Sequence, residues 1–307
     1  MVTDSSLAPV ALFTYRRPTH TQKVLEALAS NSLAGESELF IFCDGAKGSE
    51  DYELVQRSRS IAKSRQWCKK IHIIEHATNL GLANSVIAGV TELCEKFGRV
   101  IVLEDDLVTS RYFLEYMNYA LDAYADIDRV MQISGHMFSV NLSSIETDTF
   151  FLPFVTSWGW ATWNRAWKSF DSRSENSSLI MMNSNIKHQF DLNGSYSYSN
   201  MLKAQLENKI DSWAIRWYLS VFVSNGLVLY PKDTFVENVG FDGSGTHCGE
   251  SSNTTSLLSQ KSISHFLPDV KVNEEVFDTL KSHLNQSNNR KLTDRLKSKL
   301  VKIKRRK

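Results

Sequence analysis

Val100-Ile101-Val102-Leu103-Glu104-Asp105-Asp106 is the stretch on which the fold prediction depends, because four apolar residues run directly into three carboxylates. The apolar run is typical of a buried strand. Three adjacent acids repel one another, and a hard divalent cation held by one or two of them, with a diphosphate as a further ligand, would offset that repulsion. An acidic loop or helix start, where the macrodipole favours Asp, is the alternative interpretation.

On both sides of this stretch, apolar runs alternate with segments of helical periodicity. The predicted strands are 9–15, 39–43, 71–75 and 99–103, and the predicted helices are 19–29, 52–63, 82–97 and 112–124. This alternation predicts an α/β fold with a mixed, mainly parallel sheet flanked by helices, in the Rossmann-like manner. Ligands of such sheets bind at the carboxyl ends of the strands. Polar residues follow the predicted strands at these ends, namely Arg16-Arg17, Asp44, Asn79 and Glu104-Asp105-Asp106.

Beyond about residue 130 the alternation becomes irregular. An aromatic-rich segment at 154–170 is followed by a Ser/Asn-rich stretch at 171–200, and the pattern then predicts one helix over 200–225. Six of the seven tryptophans lie between 158 and 217. Trp160, Trp163 and Trp167 have the spacing of one helical face, which favours core packing.

Composition excludes several classes of protein. No apolar run approaches the roughly 20 residues that a membrane helix needs, and the first residues do not resemble a signal peptide. The four cysteines show neither a CxxC pair nor a Cys/His rhythm, which argues against a zinc site and a disulfide framework. We therefore expect a cytoplasmic protein.

The basic segment 291–307 differs from the rest of the chain. It holds nine Lys/Arg and one Asp, so the remaining residues carry 26 basic against 33 acidic side chains. Its leucines recur at helical spacing opposite the basic positions, which favours an interfacial helix on an anionic membrane surface. A solvated terminal helix or a disordered basic tail is the alternative. We expect no nucleic-acid binding, since no aromatic residues interleave these charges.

Several motifs together resemble those of GT-A-fold glycosyltransferases of the family 2 type, and in detail the N-acetylglucosaminyltransferases that initiate complex N-glycan branches. They occur in the family's order over residues 8–250. The matching pieces are Ala8–Arg17, Phe42–Gly45, Asn79–Ala83, Leu103–Leu107 followed by Tyr112-Phe113, Ser157–Trp160 and Ile210–Trp213. The resemblance implies a nucleotide-sugar-binding half at 1–130, an acceptor-side and catalytic half of the same domain at 131–255, and a C-terminal extension at 256–307.

The resemblance also implies roles for residues of the first half. Asp44 would contact the uracil or another base, with Arg17 nearby on the nucleotide and Asn79 also on the donor side. Asp105 would face the ribose or the sugar. Asp106 would be the direct ligand of a Mn²⁺ or Mg²⁺ ion.

Residues of the second half receive acceptor-side roles. Asp211 matches the family's catalytic base, although Ser212 replaces the second acid of the Asp-Asp-Trp motif, and a surface acid at a helix start is the alternative. Trp158 and Trp213 are interpreted as sugar-binding surfaces, and Gly159 as a close approach to the donor sugar. His247, in the Gly-rich loop 240–247, is a candidate metal or phosphate ligand, or else an ordinary surface histidine.

The predicted activity is therefore an inverting, metal-dependent transfer from a nucleoside diphosphate sugar, with a UDP-sugar as the expected donor, to a hydroxyl of a glycan or lipid-linked glycan acceptor. A basic tail without a membrane span suits an enzyme of surface polysaccharide synthesis at the inner face of the cell membrane. A nucleotide-sugar hydrolase or nucleotidyltransferase is one alternative, and a non-catalytic glycan-binding scaffold of the same fold is another.

Overall fold

The computed structural model describes residues 7–242 and 258–286. Its strands are β1 (Val10–Thr14), β2 (Glu38–Cys43), β3 (Lys70–Glu75), β4 (Arg99–Glu104), β5 (Leu107–Thr109), β6 (Val130–Ser134), β7 (Thr149–Leu152), β8 (Trp160–Trp163), β9 (Leu227–Pro231) and β10 (Val236–Asn238). Its helices are α1 (Pro18–Ala29), α2 (Tyr52–Lys63), α3 (Leu82–Phe97), α4 (Phe113–Ala123), α5 (Asn164–Trp167), α6 (Ser177–Met182), α7 (Ser184–Phe190), α8 (Tyr198–Leu206) and α9 (Trp213–Val223). Residues 274–286 are also helical.

Eight strands form one sheet in the order β3-β2-β1-β4-β8-β6-β9-β7. The first four are mutually parallel, and β6 and β9 are parallel to each other. Strand β8 runs antiparallel between β4 and β6, and β7 runs antiparallel along β9. The predicted mixed, mainly parallel sheet flanked by helices is confirmed. Because β4 pairs with β8, strands from residues 1–130 and 131–255 belong to one sheet.

Both faces of the central strands are covered, so the strands are apolar at nearly every position. In β1, Ala11 and Phe13 point into one buried cluster, and Val10 and Leu12 point into the cluster on the opposite face. Local sequence fixes the helix ends beside the sheet. Pro18 stands in the first turn of α1, where its missing N–H costs nothing, and Gly98 ends α3 in the left-handed conformation.

Two local predictions were wrong. The single helix over 200–225 is two helices, because Asn208 turns the chain with φ 53° and the Ser212 hydroxyl caps α9 by accepting from the Ile215 N–H. Trp160 and Trp163 lie in strand β8 and not on a helix, although both are buried as expected for packing residues. Pairing with β4 and β6 decides the conformation of this short run.

A second, two-stranded sheet extends the acidic end of β4. Strand β5 follows Asp106 directly and pairs antiparallel with β10. This pairing continues beyond β10, where the Val239 N–H donates to the Asp106 carbonyl at 2.9 Å. Residues 239–242 are thereby held over the end of β4.

Residues 258–286 return across the molecule. Val272 forms a parallel bridge to Phe151 of β7, and the Tyr124 hydroxyl donates to the Leu267 carbonyl. The helical residues 274–286 bury Val276 and Leu280 in the core. Among the described residues no helix combines the length and hydropathy required to span a bilayer. His247 and the basic segment 291–307 lie outside the described residues, and the predictions made for them stay predictions.

Candidate active site

The candidate site lies where the parallel strands β2, β1 and β4 end side by side. Thr14 pairs with Cys43 and Phe13 with Glu104, so the residues that follow these strands meet at one edge. The Tyr15 N–H donates to Asp105 Oδ2 at 3.2 Å, which joins the end of β1 to the acids after β4. The topology therefore brings Arg17, Asp44 and the acidic triplet to the same edge, as the sequence predicted.

Arg17 is the cation closest to the acidic triplet among the residues described here. Its Nη1 lies 2.8 Å from Asp106 Oδ2 and 3.3 Å from Asp105 Oδ1, and its Nη2 donates to the Gly240 carbonyl at 3.4 Å. The three charged side chains are each between 11% and 13% exposed. One guanidinium thus neutralises part of the charge of two nearly buried carboxylates.

Burial perturbs two of the three carboxyl groups. Desolvation, reinforced by Asp106 and Asp105, raises the pKa of Glu104 to about 8. Desolvation and then Asp106 raise the pKa of Asp105 to about 7, against the opposing effect of Arg17. Each shift reflects burial of the charged form and repulsion from a neighbouring carboxylate. A cation at the end of β4 would offset both effects.

The residues at this end fit a hard divalent cation that completes its shell from substrate. No group of three or more His, Cys, Asp or Glu side chains within the described ranges converges on one point. Asp106 is 9% exposed, and none of the described residues bonds its Oδ1. Mg²⁺-type ions are commonly held by one or two carboxylates together with substrate phosphates, so Asp106 is a suitable ligand and Asp105 its neighbour.

Asp44 and Asn79 form a closed network that shapes the neighbouring loop. The Asp44 carboxylate accepts from the N–H groups of Gly45, Leu80 and Gly81 and from Asn79 Nδ2, at 2.8 to 3.0 Å. Asn79 also donates to the Gly45 carbonyl. Four hydrogen bonds occupy the acceptor capacity of one carboxylate. In this structure Asp44 therefore fixes the loop before α3, and its contact with a base stays a prediction.

Trp213 connects the start of α9 to the acidic triplet. The ring stacks on Trp160 with 5.0 Å between centroids, and its N–H lies against the Glu104 carboxylate and lowers that group's pKa. Trp213 is only 3% exposed. Because the ring is buried, the structure shows no exposed face of Trp213 on which a sugar could stack. The ring packs on Trp160 of the sheet instead.

Asp211 lies in that loop and faces solvent. Its side chain is 59% exposed, and Arg216 Nη2 lies 2.7 Å from Oδ1. The Arg216 guanidinium is nearly buried and also donates to the Ser172 and Ser212 carbonyls. Arg216 therefore orients the Asp211 carboxylate while Oδ2 stays open to solvent.

Trp158 contacts residues 239–242 through Phe241 and is partly exposed. Its ring packs on His136 at 4.4 Å and on Phe241 at 5.7 Å between centroids. Gly159 has φ 58°, and an added Cβ would lie 2.6 Å from a Val236 methyl, so internal packing already requires glycine there. Contacts of Trp158 and Gly159 with a sugar stay predictions.

His136 has a structural environment. Burial lowers its pKa to about 4, partly offset by a hydrogen bond to the Val236 backbone. The neutral ring packs between Trp158 and Phe138.

The sequence prediction did not identify Asp51. Its carboxylate accepts from the Tyr15 hydroxyl at 2.6 Å and pairs with Arg16 Nη1 at 2.5 Å, which ties the loop after β1 to the start of α2. In the sequence, Gly48-Ser-Glu-Asp51 is typical of an ordinary helix start. No local signal marks Arg16 as its partner, 35 residues away.

Comparison with known proteins gives weak similarities. No protein-family model and no curated protein sequence matches the chain. Among solved structures, mouse xyloside xylosyltransferase 1 in its apo form is 9% identical with a TM-score of 0.37, over 71% of this chain and 81% of that one. An active-site mutant of LgtC is 9% identical with a TM-score of 0.32, over 53% of this chain and 60% of that one.

Proposed function

We propose that this chain is a GT-A-type glycosyltransferase that moves a sugar from a nucleoside diphosphate sugar, most simply a UDP-sugar, to a hydroxyl of a glycan or lipid-linked glycan. One observation carries the proposal: the nearly buried carboxylates of Asp105 and Asp106 meet the Arg17 guanidinium at the carboxyl end of β4, beneath Gly240. Paired acids and a fixed guanidinium suit a diphosphate together with its cation.

On the donor side, Arg17 supplies a planar set of N–H donors for diphosphate oxygens. Asp106 would hold a Mn²⁺ or Mg²⁺ ion, with Asp105 beside it. When bound, such an ion stabilises the negative charge that develops on the departing diphosphate. Asp44 and Asn79 shape the loop on which the nucleoside would lie, and His247 is a further candidate ligand of the metal or the phosphate.

On the acceptor side, Asp211 is the proposed general base. Arg216 holds one carboxylate oxygen, and the other is free to accept the proton of an acceptor hydroxyl. Direct displacement with one such base inverts the anomeric configuration. Trp158 and Gly159 are the proposed contacts of the sugar, and Trp213 supports this region from beneath.

The proposed setting is the inner face of a cell membrane. A lipid-linked glycan would place the acceptor hydroxyl close to the bilayer, and the basic residues 291–307 would bring the enzyme to anionic lipid. This setting fits an enzyme of surface polysaccharide synthesis.

The deciding experiment measures binding of UDP, GDP, CDP and TDP by calorimetry, with and without Mn²⁺. Asp106→Asn removes the proposed metal ligand with little change in volume, and Asp128→Asn, an exposed acid on the loop before β6, is the matched control. We expect one diphosphate to bind tightly only with Mn²⁺, and this binding to be lost in Asp106→Asn alone.

Other outcomes identify the alternatives. Release of free sugar in the absence of any acceptor would indicate a nucleotide-sugar hydrolase, and nucleotide transfer onto a sugar phosphate would indicate a nucleotidyltransferase. If no diphosphate binds under any condition while glycans do, the transferase proposal fails and the glycan-binding scaffold replaces it.

A further inference from the structure

Arg17 occupies the cation-binding side of the acidic pair. Its Nη1 contacts both Asp106 Oδ2 and Asp105 Oδ1, while Oδ1 of Asp106 is unbonded by the described residues. The carboxylates of Asp105 and Asp106 together with the Arg17 guanidinium leave a net negative charge at the nearly buried end of β4. The carboxylate that would bind a divalent cation is therefore already shared: Arg17 contacts its Oδ2, and only Oδ1 stays open.

The same guanidinium holds residues 239–242 in place. Arg17 Nη2 donates to the Gly240 carbonyl, and Asp106 accepts the Val239 N–H through its backbone. A Cβ added at Gly240 would lie 2.3 Å from Asp106 Oδ2 and 2.6 Å from Arg17 Nη2. His20 adds a second contact with this segment, because its Nε2 lies 3.1 Å from Asp242 Oδ2. The segment thus packs on the ion pair itself, with no space between them for an additional side chain.

We infer that Arg17 is an exchangeable counter-ion of Asp106: a divalent cation displaces the guanidinium from this carboxylate, and the released guanidinium then binds the diphosphate. This inference rests on the proposed function, because it deepens the role of its donor site. Arg17 is on this account a positioning residue that couples cation binding to diphosphate binding.

The physical reason is that the two cations cannot both bind Asp106 at full strength. A guanidinium 2.8 Å from Oδ2 repels a dication on the same carboxylate. A diphosphate removes this conflict, since it offers Arg17 new anionic oxygens in a planar, bidentate arrangement. Cation and diphosphate should therefore bind cooperatively, and the cooperativity should depend on Arg17.

The test measures Mn²⁺ affinity of the metal-free full chain by electron paramagnetic resonance, without nucleotide. We expect Arg17→Gln to raise Mn²⁺ affinity about tenfold because it removes the competing charge. We expect Arg17→Lys, which keeps the charge but cannot bridge both carboxylates, to raise it about threefold. Arg16→Gln is the matched control, because Arg16 is the adjacent residue but pairs with Asp51, and its Mn²⁺ affinity should equal that of the wild type.

A second measurement adds UDP at saturating Mn²⁺. Loss of the guanidinium should weaken UDP binding in Arg17→Gln about a hundredfold while Mn²⁺ binding improves, so the two affinities change in opposite directions. A variant that merely disturbs the fold would weaken both. If Arg17→Gln does not fold, the Arg17→Lys comparison decides alone.

The outcomes separate the inference from the proposed function. Equal or lower Mn²⁺ affinity in both Arg17 variants overturns the exchange and leaves the transferase proposal intact. A rise in Arg17→Gln without any rise in Arg17→Lys also overturns it, because the charge at position 17 then opposes Mn²⁺ without any displacement of the guanidinium from the two carboxylates. If the wild type binds UDP but no Mn²⁺, the exchange fails together with metal dependence, and if it binds neither, the proposed function fails.

Discussion

Asp211 and Arg216 form an ion pair through one of the two carboxylate oxygens, Oδ1, and this asymmetry is the basis of the chemistry proposed for Asp211. The guanidinium of Arg216, in the first turns of α9, is nearly buried, whereas the acid is mostly exposed. The carboxylate is therefore oriented from one side and reachable from the other. The proposed role of Asp211 as general base depends on Oδ2, the carboxylate oxygen that Arg216 does not contact.

Asp211→Asn should lower kcat at least about a hundredfold, because the amide cannot accept the acceptor's proton. Mn²⁺-dependent UDP binding should be unchanged, since the donor contacts lie elsewhere. Steady-state kinetics and calorimetry check the two effects. Glu207→Gln is the matched control, an acid in the same loop that pairs with Lys209, and full activity in Asp211→Asn would remove this residue from the mechanism.

His136 should make the folded protein sensitive to mild acid. Its folded pKa is about 4 and lies below the unfolded value of 6.5, so the unfolded chain binds a proton first as the pH falls. The free energy of unfolding should drop between pH 6.5 and 4, by on the order of 3 kcal/mol from this residue. Urea unfolding of wild type and His136→Gln measures the difference, and identical pH profiles would contradict the prediction.

At the scale of elements, the site consists of loops that side chains hold at the ends of strands. Asp44 fixes the loop before α3, and Asp106 with Arg17 fixes the segment after β10. Each depends on a carboxylate that the sheet positions, and each can therefore be tested by one substitution.

Asp44→Ala should reduce the free energy of unfolding by about 3 kcal/mol, because it leaves the N–H groups of Gly45, Leu80 and Gly81, which are buried or partly buried, without this acceptor. Denaturant unfolding checks the value. Asp126→Ala, an exposed acid in the loop after α4, should change it by less than about 0.5 kcal/mol. A loss below about 1 kcal/mol for Asp44→Ala would mean that water accepts the hydrogen bonds of the loop N–H groups in place of the carboxylate.

Gly240→Ala should weaken Mn²⁺-dependent UDP binding about tenfold or more, because the methyl group would force Asp106 and Arg17 apart. The melting temperature should change little, since the segment lies at the edge of the fold. Gly35→Ala is the control, because an added Cβ there meets no atom within 4 Å. Unchanged UDP affinity in Gly240→Ala would show that the segment moves away at no cost.

The sequence predicted the elements with strong periodicity and the residues that follow them. β1 to β4, α1 to α4, and the meeting of Arg17 with the acidic triplet all follow from apolar runs and from the rule for parallel strands. The conformation of Trp160–Trp163 did not, because strand pairing decides it. The break between α8 and α9 depends on one left-handed Asn208 and one Ser212 cap, both common in other contexts.

Contacts between distant residues were the least predictable part of the site. The pairing of Asp51 with Arg16 and the contact of Trp213 with Glu104 depend on tertiary packing. Adjacent sequence gives no sign of either. Residue type therefore predicted which polar side chains meet at the carboxyl ends of the strands, and the fold was needed to show which groups restrain one another.

At the scale of the whole molecule, charge is unevenly distributed along the chain. The segment 291–307 is strongly basic, whereas the remaining residues carry an excess of seven acidic side chains, 33 against 26. An acidic body would be repelled by anionic lipid unless a basic segment mediates contact. The basic segment is therefore the part of the chain that we expect to mediate contact with an anionic membrane.

Removal of residues 291–307 should abolish binding to anionic vesicles and leave Mn²⁺-dependent UDP binding unchanged. Vesicles of phosphatidylglycerol and phosphatidylcholine, compared in a sedimentation assay with vesicles of phosphatidylcholine alone, measure the effect. Binding of the full chain should weaken as salt is raised, because the attraction is electrostatic. Equal sedimentation of the full and shortened chains with anionic vesicles would contradict the proposed membrane binding by residues 291–307.

The bridge between Phe151 and Val272 has a consequence for synthesis of the chain. β7 is the edge strand of the sheet, and of the residues that the structure describes, those near 272, more than a hundred positions later, pair with its outer side. While the ribosome is still translating the residues between them, this edge offers unpaired backbone groups to any neighbouring nascent chain. Chaperone demand should therefore be greatest in that interval, and slow codons placed there should increase the yield of inclusion bodies.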